Sequence, residues 1–353
     1  MTRFFILCAL LASLAACNGT NPFDEEEATT EETTDADVDE TTVPDEDVTT
    51  DSGDPISSDR TTLPGTANPS ADDSLFRREA TSEDNGNGYA ESVSYDGATD
   101  TFSVDNLAFD GEDPYTVVRD TNGDRFGVGP FSVFEAPATA VDGLTSGDIT
   151  QLNYRALYGV SPDGNSSLAI VRTGAFIEYG FGGFVYQREG GVTLPTSGQA
   201  LYTGEDNYGG LRDFDGQGGL EYVNGDIEVR IDFDDFNEGS GVIGVVSNRR
   251  VFDLNGVDVT NDILTAFGAG TTELPILRFI IEPGVIDSNG EIIGTVQSTN
   301  PADGDAFEEG NYYAVLSGDN ATTITGIIVS TADDPRFADV TVRETGGFFA
   351  VRE

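Results

Sequence analysis

The chain has 353 residues and a formal net charge of -47, from 64 acidic and 17 basic side chains. Every basic residue is an arginine, and there is no histidine, so catalysis by a Ser-His-Asp triad, metal binding by imidazole and a Schiff-base lysine are excluded. Both cysteines, Cys8 and Cys17, lie at the N-terminus, which excludes a disulfide, a zinc-thiolate site or an iron–sulfur cluster elsewhere. So acidic a chain is repelled by phosphate backbones, which argues against nucleic-acid binding. No cofactor is predicted.

The N-terminus has the parts of a secretory signal. Arg3 precedes the apolar run Phe4–Leu14, which is shorter than the ~20 residues that span a bilayer as a helix. The sequence Leu-Ala-Ala-Cys, ending at Cys17, resembles the lipobox of bacterial lipoproteins. The resemblance implies a signal peptide over residues 1–16, lipidation of Cys17 and, because Asn18 follows the cysteine, delivery to the outer membrane. The alternative is an ordinary signal with a chance cysteine.

Residues 17–84 are predicted to form a disordered acidic tether. Between Asp24 and Asp59 there are 16 acidic residues and no basic one, interleaved with Thr, Ser, Pro and Gly. Such a segment cannot bury enough apolar surface to offset its chain entropy, and its like charges keep it extended. A solvated spacer is the favoured interpretation, and a weak cation-binding or docking tail is the alternative.

From residue 85 onward the pattern favours short strands separated by turns. Asp96-Gly97 and Asn122-Gly123 are hairpin signals between β-prone runs. Ile227, Val229, Ile231 and Phe233 alternate with charged residues, which predicts a strand with one buried face. Only Asp262–Phe267 suggests a helical turn. The sequence therefore predicts an all-β protein built as a barrel or a sandwich. The other predicted strands are Ser92–Tyr95, Thr101–Leu107, Tyr115–Arg119, Arg125–Val128, Leu152–Val160, Ser167–Arg172, Ala175–Tyr186, Gln199–Thr203, Gly219–Val223, Gly241–Val246, Leu277–Ile281, Glu291–Gln297, Tyr312–Leu316, Thr323–Ser330, Val340–Arg343 and Gly347–Val351.

Residues 194–204, with the sequence Leu-Pro-Thr-Ser-Gly-Gln-Ala-Leu-Tyr-Thr-Gly, resemble the first barrel strand of the transferrin-binding protein B-like surface lipoproteins. Leu316–Ala321 and the Gly-rich, aromatic segment Gly346–Arg352 are similar to that family's late motifs. The resemblance implies an eight-stranded antiparallel β-barrel over residues 194–353, preceded by a small β "handle" domain over residues 85–193. It also implies a non-catalytic, cell-surface lipoprotein of the outer membrane that captures a protein or small ligand, often in support of iron or haem uptake through a TonB-dependent receptor.

An adhesion or structural β module of the envelope, without a role in uptake, is the alternative function. A hydrolase that uses two carboxylates is a third possibility, with Asp232 and Asp234 on one strand face as its acid pair. A solvated charged face is the favoured interpretation of that pair.

Arginine is scarce, so Tyr154, Arg155 and Arg172 on consecutive predicted strands are candidate ligand-binding residues. Ion pairing within the protein is the alternative for these arginines. Asp213 and Asp215 are a candidate site for a hard metal ion.

Asp120, Asn122 and Asp124 have the spacing of a calcium loop. Arg125 and Phe131 stand where such a loop needs Gly and Glu, so a hairpin turn is favoured over a calcium site there.

Overall fold

A computed structural model describes residues 62–80, 90–105, 107, 114–136, 141–146, 154–174, 179–234, 241–268, 270–280 and 285–353. Within these ranges the chain forms a nine-stranded sheet followed by a closed eight-stranded barrel, and every strand pair in both is antiparallel. The predicted all-β class, with a barrel preceded by a handle-like sheet, is confirmed. No helix in the described part of the chain is long and apolar enough to cross a membrane.

The sheet has the strand order β1-β9-β8-β7-β6-β4-β3-β2, and β5 pairs with β6. Its hairpin turns use the predicted signals, since Asp96-Gly97 joins β2 to β3. The strands are β1 (Leu75–Arg78), β2 (Ser92–Asp96), β3 (Thr101–Asp105), β4 (Tyr115–Val117), β5 (Gly127–Val128), β6 (Phe131–Ala136), β7 (Tyr154–Val160), β8 (Ser166–Thr173) and β9 (Gly182–Arg188).

The barrel follows the chain around its wall, and its last strand closes on its first. Its strands are β10 (Gln199–Asp215), β11 (Leu220–Asp232), β12 (Val242–Phe252), β13 (Leu277–Phe279), β14 (Glu291–Thr299), β15 (Ala306–Ser317), β16 (Thr323–Asp333) and β17 (Thr341–Arg352). The helix α1 (Thr260–Phe267) lies in the connection between β12 and β13, where a helical turn is predicted. Ile263 is the residue of α1 that is buried against the barrel core.

Three large apolar layers, and a smaller cluster around Phe214 and Val342, hold these parts together. One fills the barrel, one lies between the sheet and the barrel wall, and one covers the far face of the sheet. In the middle layer Phe131 of the sheet meets Phe349 of the barrel, with ring centroids 5.5 Å apart. The alternation of side chains along each strand makes this possible, because residues i and i+2 share a face.

The structure differs from the predicted elements at several places. Residues 62–80 are ordered and include β1, which pairs with β9, so the predicted tether does not extend unbroken to residue 84. Leu75 and Arg77 are buried in that strand, the arginine by pairing with Glu291, a partner that local composition cannot reveal. The strand β6 was not predicted. The predicted boundary between residues 193 and 194 falls in the connection between β9 and β10.

Two pairs of predicted strands are each one long strand, β11 and β17. The glycines in these strands suggested that each strand is interrupted. In the structure, another group approaches the backbone closely at each of these glycines. A Cβ on Gly225 would lie 2.8 Å from the Ser247 carbonyl oxygen, and one on Gly347 would lie 2.6 Å from the Leu168 side chain.

Candidate functional site

Aromatic side chains fill much of the barrel interior. Tyr208, Tyr312 and Phe348 are fully buried, and Phe279 stacks on Tyr312 with ring centroids 3.9 Å apart. The packing depends on glycine, since a Cβ on Gly346 would lie 2.1 Å from the Tyr208 hydroxyl. These rings occupy the space in which other small barrels hold a ligand.

An ion-pair network continues the filling towards the end of the barrel that carries α1. Arg249 donates two hydrogen bonds to the carboxylate of Glu308, at 2.7 and 2.6 Å, and one to Glu344 at 3.0 Å. It also donates to the Pro275 carbonyl oxygen at 2.7 Å. Ser298 donates to Glu308 at 2.6 Å. A guanidinium held by two carboxylates is compensated in a place where an unpaired charge would be costly.

A second group of ion pairs adjoins the first at the β10–β11 hairpin. Arg336 binds Glu221 at 2.7 Å and Asp334 at 2.7 Å. Arg212 binds Glu221 at 2.7 Å and approaches Glu344 at 3.5 Å, so Arg212 joins the two groups through shared carboxylates. The network is one connected unit of arginines and acids.

The network shifts the acidity of its members. Burial alone would raise the pKa of Glu344, but Arg249 and Arg212 outweigh it and hold that pKa below its usual value. Burial alone would likewise raise the pKa of Asp334, but hydrogen bonds from Arg336 outweigh it, and that pKa is lowered. Burial and the neighbouring Glu344 carboxylate raise the pKa of Tyr208 well above the usual value. These groups therefore stay in the charge states that the ion pairs require.

An open groove of about 590 Å³ lies beside α1, and we name it the α1 groove. Its volume is within the range of ~300–1,000 Å³ typical of ligand sites. Arg249 connects the groove to the buried network. The groove is lined by Asn248–Arg250 of β12, by Asp258, Thr260, Asn261 and Leu264, and by Thr272–Leu274.

The residues of the α1 groove are polar at the rim and partly apolar below it. Arg250 pairs with Asp258 at the surface, with side chains 58% and 38% exposed. Glu273 and Thr272 are exposed, whereas Leu264 is half-buried. Hydrogen bonds from Thr260 and Arg250 outweigh the burial of Asp258 and lower its pKa, so the carboxylate is ionised at neutral pH.

The structure separates the predicted ligand-binding residues. Arg155 and Arg172 are direct neighbours on β7 and β8, on the face towards the barrel, whereas Tyr154 is fully buried in the apolar layer of the opposite face. Arg155 pairs with Glu135 at 2.9 Å. Arg172 pairs with Glu79 at 3.0 Å. Both arginines thus have acidic partners within the protein, which is the alternative that the sequence left open.

The predicted metal-binding residues lie near the same junction. Asp213 is fully buried and accepts hydrogen bonds from Arg343 at 3.2 and 2.7 Å, while Asp215 is the half-buried last residue of β10. Among the described residues, no group of three or more acids, histidines or cysteines could hold a metal ion. The carboxylate of Asp213 therefore binds the guanidinium of Arg343.

The other acidic motifs stabilise turns. The Asp120 carboxylate accepts the backbone N–H groups of Asn122 and Asp124, at 2.8 and 2.9 Å, which agrees with the hairpin interpretation. Asp232 accepts the Gln199 amide at 2.7 Å and Asp234 accepts the backbone N–H of Gly198 at 3.0 Å, so this pair joins the ends of β10 and β11. Cys17 lies outside the described residues.

Sequence reasoning missed the inward-facing arginines and glutamates. Glu344 could have been found, because it lies two residues after the buried Val342 on β17 and therefore shares its inward face. Arg249 could not be found by alternation. If every second residue after Val242 faced inward, Asn248 would face the barrel interior and Arg249 would face outward. Asn248 instead adopts φ 53° in a bulge. The bulge shifts the alternation of β12 by one residue, so that Arg249 faces inward.

No protein-family model matches this chain, and no curated protein is significantly similar to it. Among solved structures, the chain is similar to a double mutant of Transferrin Binding Protein B from Haemophilus parasuis Hp5, with a TM-score of 0.34 and 13% identity over 74% of this chain and 45% of that one. It is also similar to isotype 1 Transferrin binding protein B from serogroup B Neisseria meningitidis, with a TM-score of 0.31 and 10% identity over 72% of this chain and 62% of that one. The chain spans less than two thirds of either structure. Similarity at this level does not show membership of a family.

Proposed function

We propose that this chain is a lipid-anchored protein of the outer membrane that binds a protein ligand at the α1 groove without transforming it. The observation that carries the proposal is an open groove on a barrel whose interior is filled by rings and ion pairs. A filled barrel is a rigid support, and binding residues placed on its loops keep a fixed geometry.

A protein ligand suits the structure better than haem held directly. Without histidine, haem ligation would fall to tyrosine. Every tyrosine in the described part of the chain is buried or half-buried. The proposed role is therefore to capture a carrier protein of iron or haem. A TonB-dependent receptor would be the membrane partner in the uptake that follows. If it is correct, expression rises when iron is limiting. An adhesion or structural module would show no such response.

The anchor and the orientation are tested on intact cells. Lipid labelling is expected for the wild-type chain and is expected to disappear in Cys17→Ser. Protease treatment of intact cells should then remove the labelled protein if the barrel faces the medium. An unlabelled wild-type chain, or one that fractionates with the inner membrane, would overturn the proposed location. A labelled but protected chain would favour the structural role in the envelope.

Binding at the groove is tested by placing a photo-crosslinking amino acid at Thr272, an exposed residue of the groove rim. The matched control places the same group at Thr99, an exposed residue of the β2–β3 turn in the sheet. We expect a defined crosslinked species from Thr272 on cells and none from Thr99. Crosslinking from Thr99 alone would favour the adhesion function, and crosslinking from neither position would overturn ligand binding.

A further inference from the structure

Acidic groups surround the α1 groove and outnumber the basic groups that are available to a ligand. Asp258 and Glu273 lie on the groove itself, and Arg250 is the exposed arginine among its lining residues. Arg250 is already paired with Asp258. Among the residues that the structure describes, no cation pairs with Glu273.

Two further carboxylates lie directly behind the groove residue Asn248. The Asn248 side-chain amide donates to Asp226 at 2.6 Å, and Asp226 also accepts the backbone N–H of Asp206 at 2.7 Å. The Asn224 amide donates to Asp206 at 2.8 Å. Partial burial and the negative charge of Asp226 raise the pKa of Asp206, because two neighbouring carboxylates disfavour each other's ionised form. A positive charge brought to this region would relieve that repulsion.

The buried arginine of the groove adds a second kind of requirement. The terminal nitrogens of Arg249 donate hydrogen bonds to Glu308, Glu344 and the Pro275 carbonyl oxygen. Its side chain is 2% exposed, and its Nε is buried without a hydrogen-bond partner. The guanidinium is thus buried and already compensated by two carboxylates, so it offers no positive charge to an anionic ligand in the groove.

Leu264 and Leu274 supply the apolar part of the groove. Both are half-buried, and Leu274 packs against the barrel core. Arginine and lysine bury their hydrocarbon stems on such surfaces while the charged end reaches an acid at the rim. Glu273, adjacent to Leu274 in the chain, provides that acid.

We propose that the α1 groove binds a basic segment of a partner protein, with an arginine or lysine side chain directed to Glu273 and the segment's backbone lying along β12. This inference rests on the proposed function and adds the chemistry of the ligand to it. The charge complementarity sets the choice, since an acidic or phosphorylated segment would meet four carboxylates and one exposed arginine that is already paired.

The test measures binding of a fluorescent peptide, Arg-Ser-Arg-Ser-Arg, to the full-length protein in detergent at ~0.15 M salt, where long-range attraction is largely screened. Glu273→Lys reverses the charge at the groove. Glu91→Lys is the matched control, because Glu91 is an exposed glutamate directly before β2 of the sheet. We expect Glu273→Lys to weaken binding by ~10-fold or more and Glu91→Lys by less than ~2-fold, because a rim charge acts strongly only on a group that it contacts.

Equal weakening by the two variants would mean diffuse attraction to an acidic protein, and it would overturn the proposal. Tighter binding of Glu-Ser-Glu-Ser-Glu than of the arginine peptide would also overturn it. The thermal unfolding midpoint of each variant checks that the fold is intact. If the arginine peptide fails to bind but Thr272 still crosslinks on cells, the ligand chemistry is wrong and the proposed function stands. If Thr272 gives no crosslink either, both are wrong.

Discussion

Arg249 and Arg250 are neighbours in the chain with opposite environments. Arg249 lies inside the barrel between Glu308 and Glu344, at 2.6 and 3.0 Å. Arg250 lies outside and pairs with Asp258 where water surrounds both side chains. Removing one partner of a buried pair leaves its carboxylates without compensation, whereas an exposed pair contributes little because water and salt screen it.

The pair allows a matched stability experiment. Arg249→Met is expected to lower the free energy of unfolding by about 3–5 kcal/mol, because Glu308 and Glu344 remain buried without their cation. Arg250→Met should change it by less than about 1 kcal/mol. Urea unfolding of both variants and of the wild-type chain measures the difference. Equal and small effects would show that the network does not stabilise the barrel.

At the residue scale the sequence could predict less of the site than of the fold. Scarcity of arginine singled out Arg155 and Arg172 as candidate ligand-binding residues, but scarcity does not tell an internal acid from a ligand. The partner of Arg172, Glu79, is 93 residues away, and that of Arg155 lies on an adjacent strand. The groove depends on the bulge at Asn248, which strand alternation alone does not reveal.

At the element scale, the short strand β1 is held to the rest of the protein mainly by side-chain hydrogen bonds. It has four residues and pairs with β9 at the edge of the sheet. Arg77 reaches the barrel and binds Glu291 through two hydrogen bonds at 2.7 and 2.6 Å. Arg188 of β9 adds hydrogen bonds to the carbonyl oxygens of Ser70 and Asp73. The segment before β1 is thereby tied to both the sheet and the barrel.

Loss of the Arg77–Glu291 pair should loosen β1 before anything else. In Arg77→Met we expect faster amide hydrogen exchange over Leu75–Arg78, with no change over β16, because a short edge strand opens locally once its anchor is gone. The exposed Arg119, which pairs with Asp100 at the surface, gives the control Arg119→Met, in which β1 should be unaffected. Unchanged exchange over β1 in Arg77→Met would contradict the role given to the pair.

Most strands were predictable because local patterns specify them. Ile227, Val229 and Ile231 alternate with exposed or half-buried residues and lie in the barrel core, as their spacing predicts. The strand β1 was not predictable, since its burial depends on Glu291, which is 214 residues away. The strand β6 was missed although Phe131 and Val133 share one buried face, so its signal was present in the sequence.

At the scale of the whole molecule, the buried carboxylates make stability depend on acid. Burial alone would raise the pKa of Glu79, but the charges of Arg172 and Arg343 outweigh it, and that pKa is lowered. The pKa values of Glu344 and Asp334 are lowered as well. A group with a lowered folded-state pKa contributes stability above its unfolded-state pKa, and that contribution is lost as the pH falls through the folded-state value.

The free energy of unfolding should therefore hold down to about pH 5 and fall below about pH 4, the range in which unfolded Asp and Glu titrate. Glu344→Gln should flatten this loss. Asp206→Asn is the control of opposite sign, because the raised pKa of Asp206 means that its charged form disfavours folding. That variant should gain stability at pH 7 and lose the gain at low pH. Urea unfolding from pH 3 to 7 tests both, and a wild-type curve that rises towards pH 3 would contradict the argument.

The net charge of -47 acts on the molecule as a whole. Exposed carboxylates repel one another over the Debye length, which is ~10 Å at 0.1 M salt and ~3 Å at 1 M, and the compact state suffers more from this repulsion than the extended one. The buried ion pairs are screened much less. We therefore expect the thermal midpoint to rise steeply between ~0.01 and ~0.2 M sodium chloride and to level off by ~0.5 M. Sodium perchlorate, which does not salt proteins out, should give the same initial rise. A midpoint that stays constant or falls over this range in both salts would mean that surface repulsion does not limit the stability of this fold.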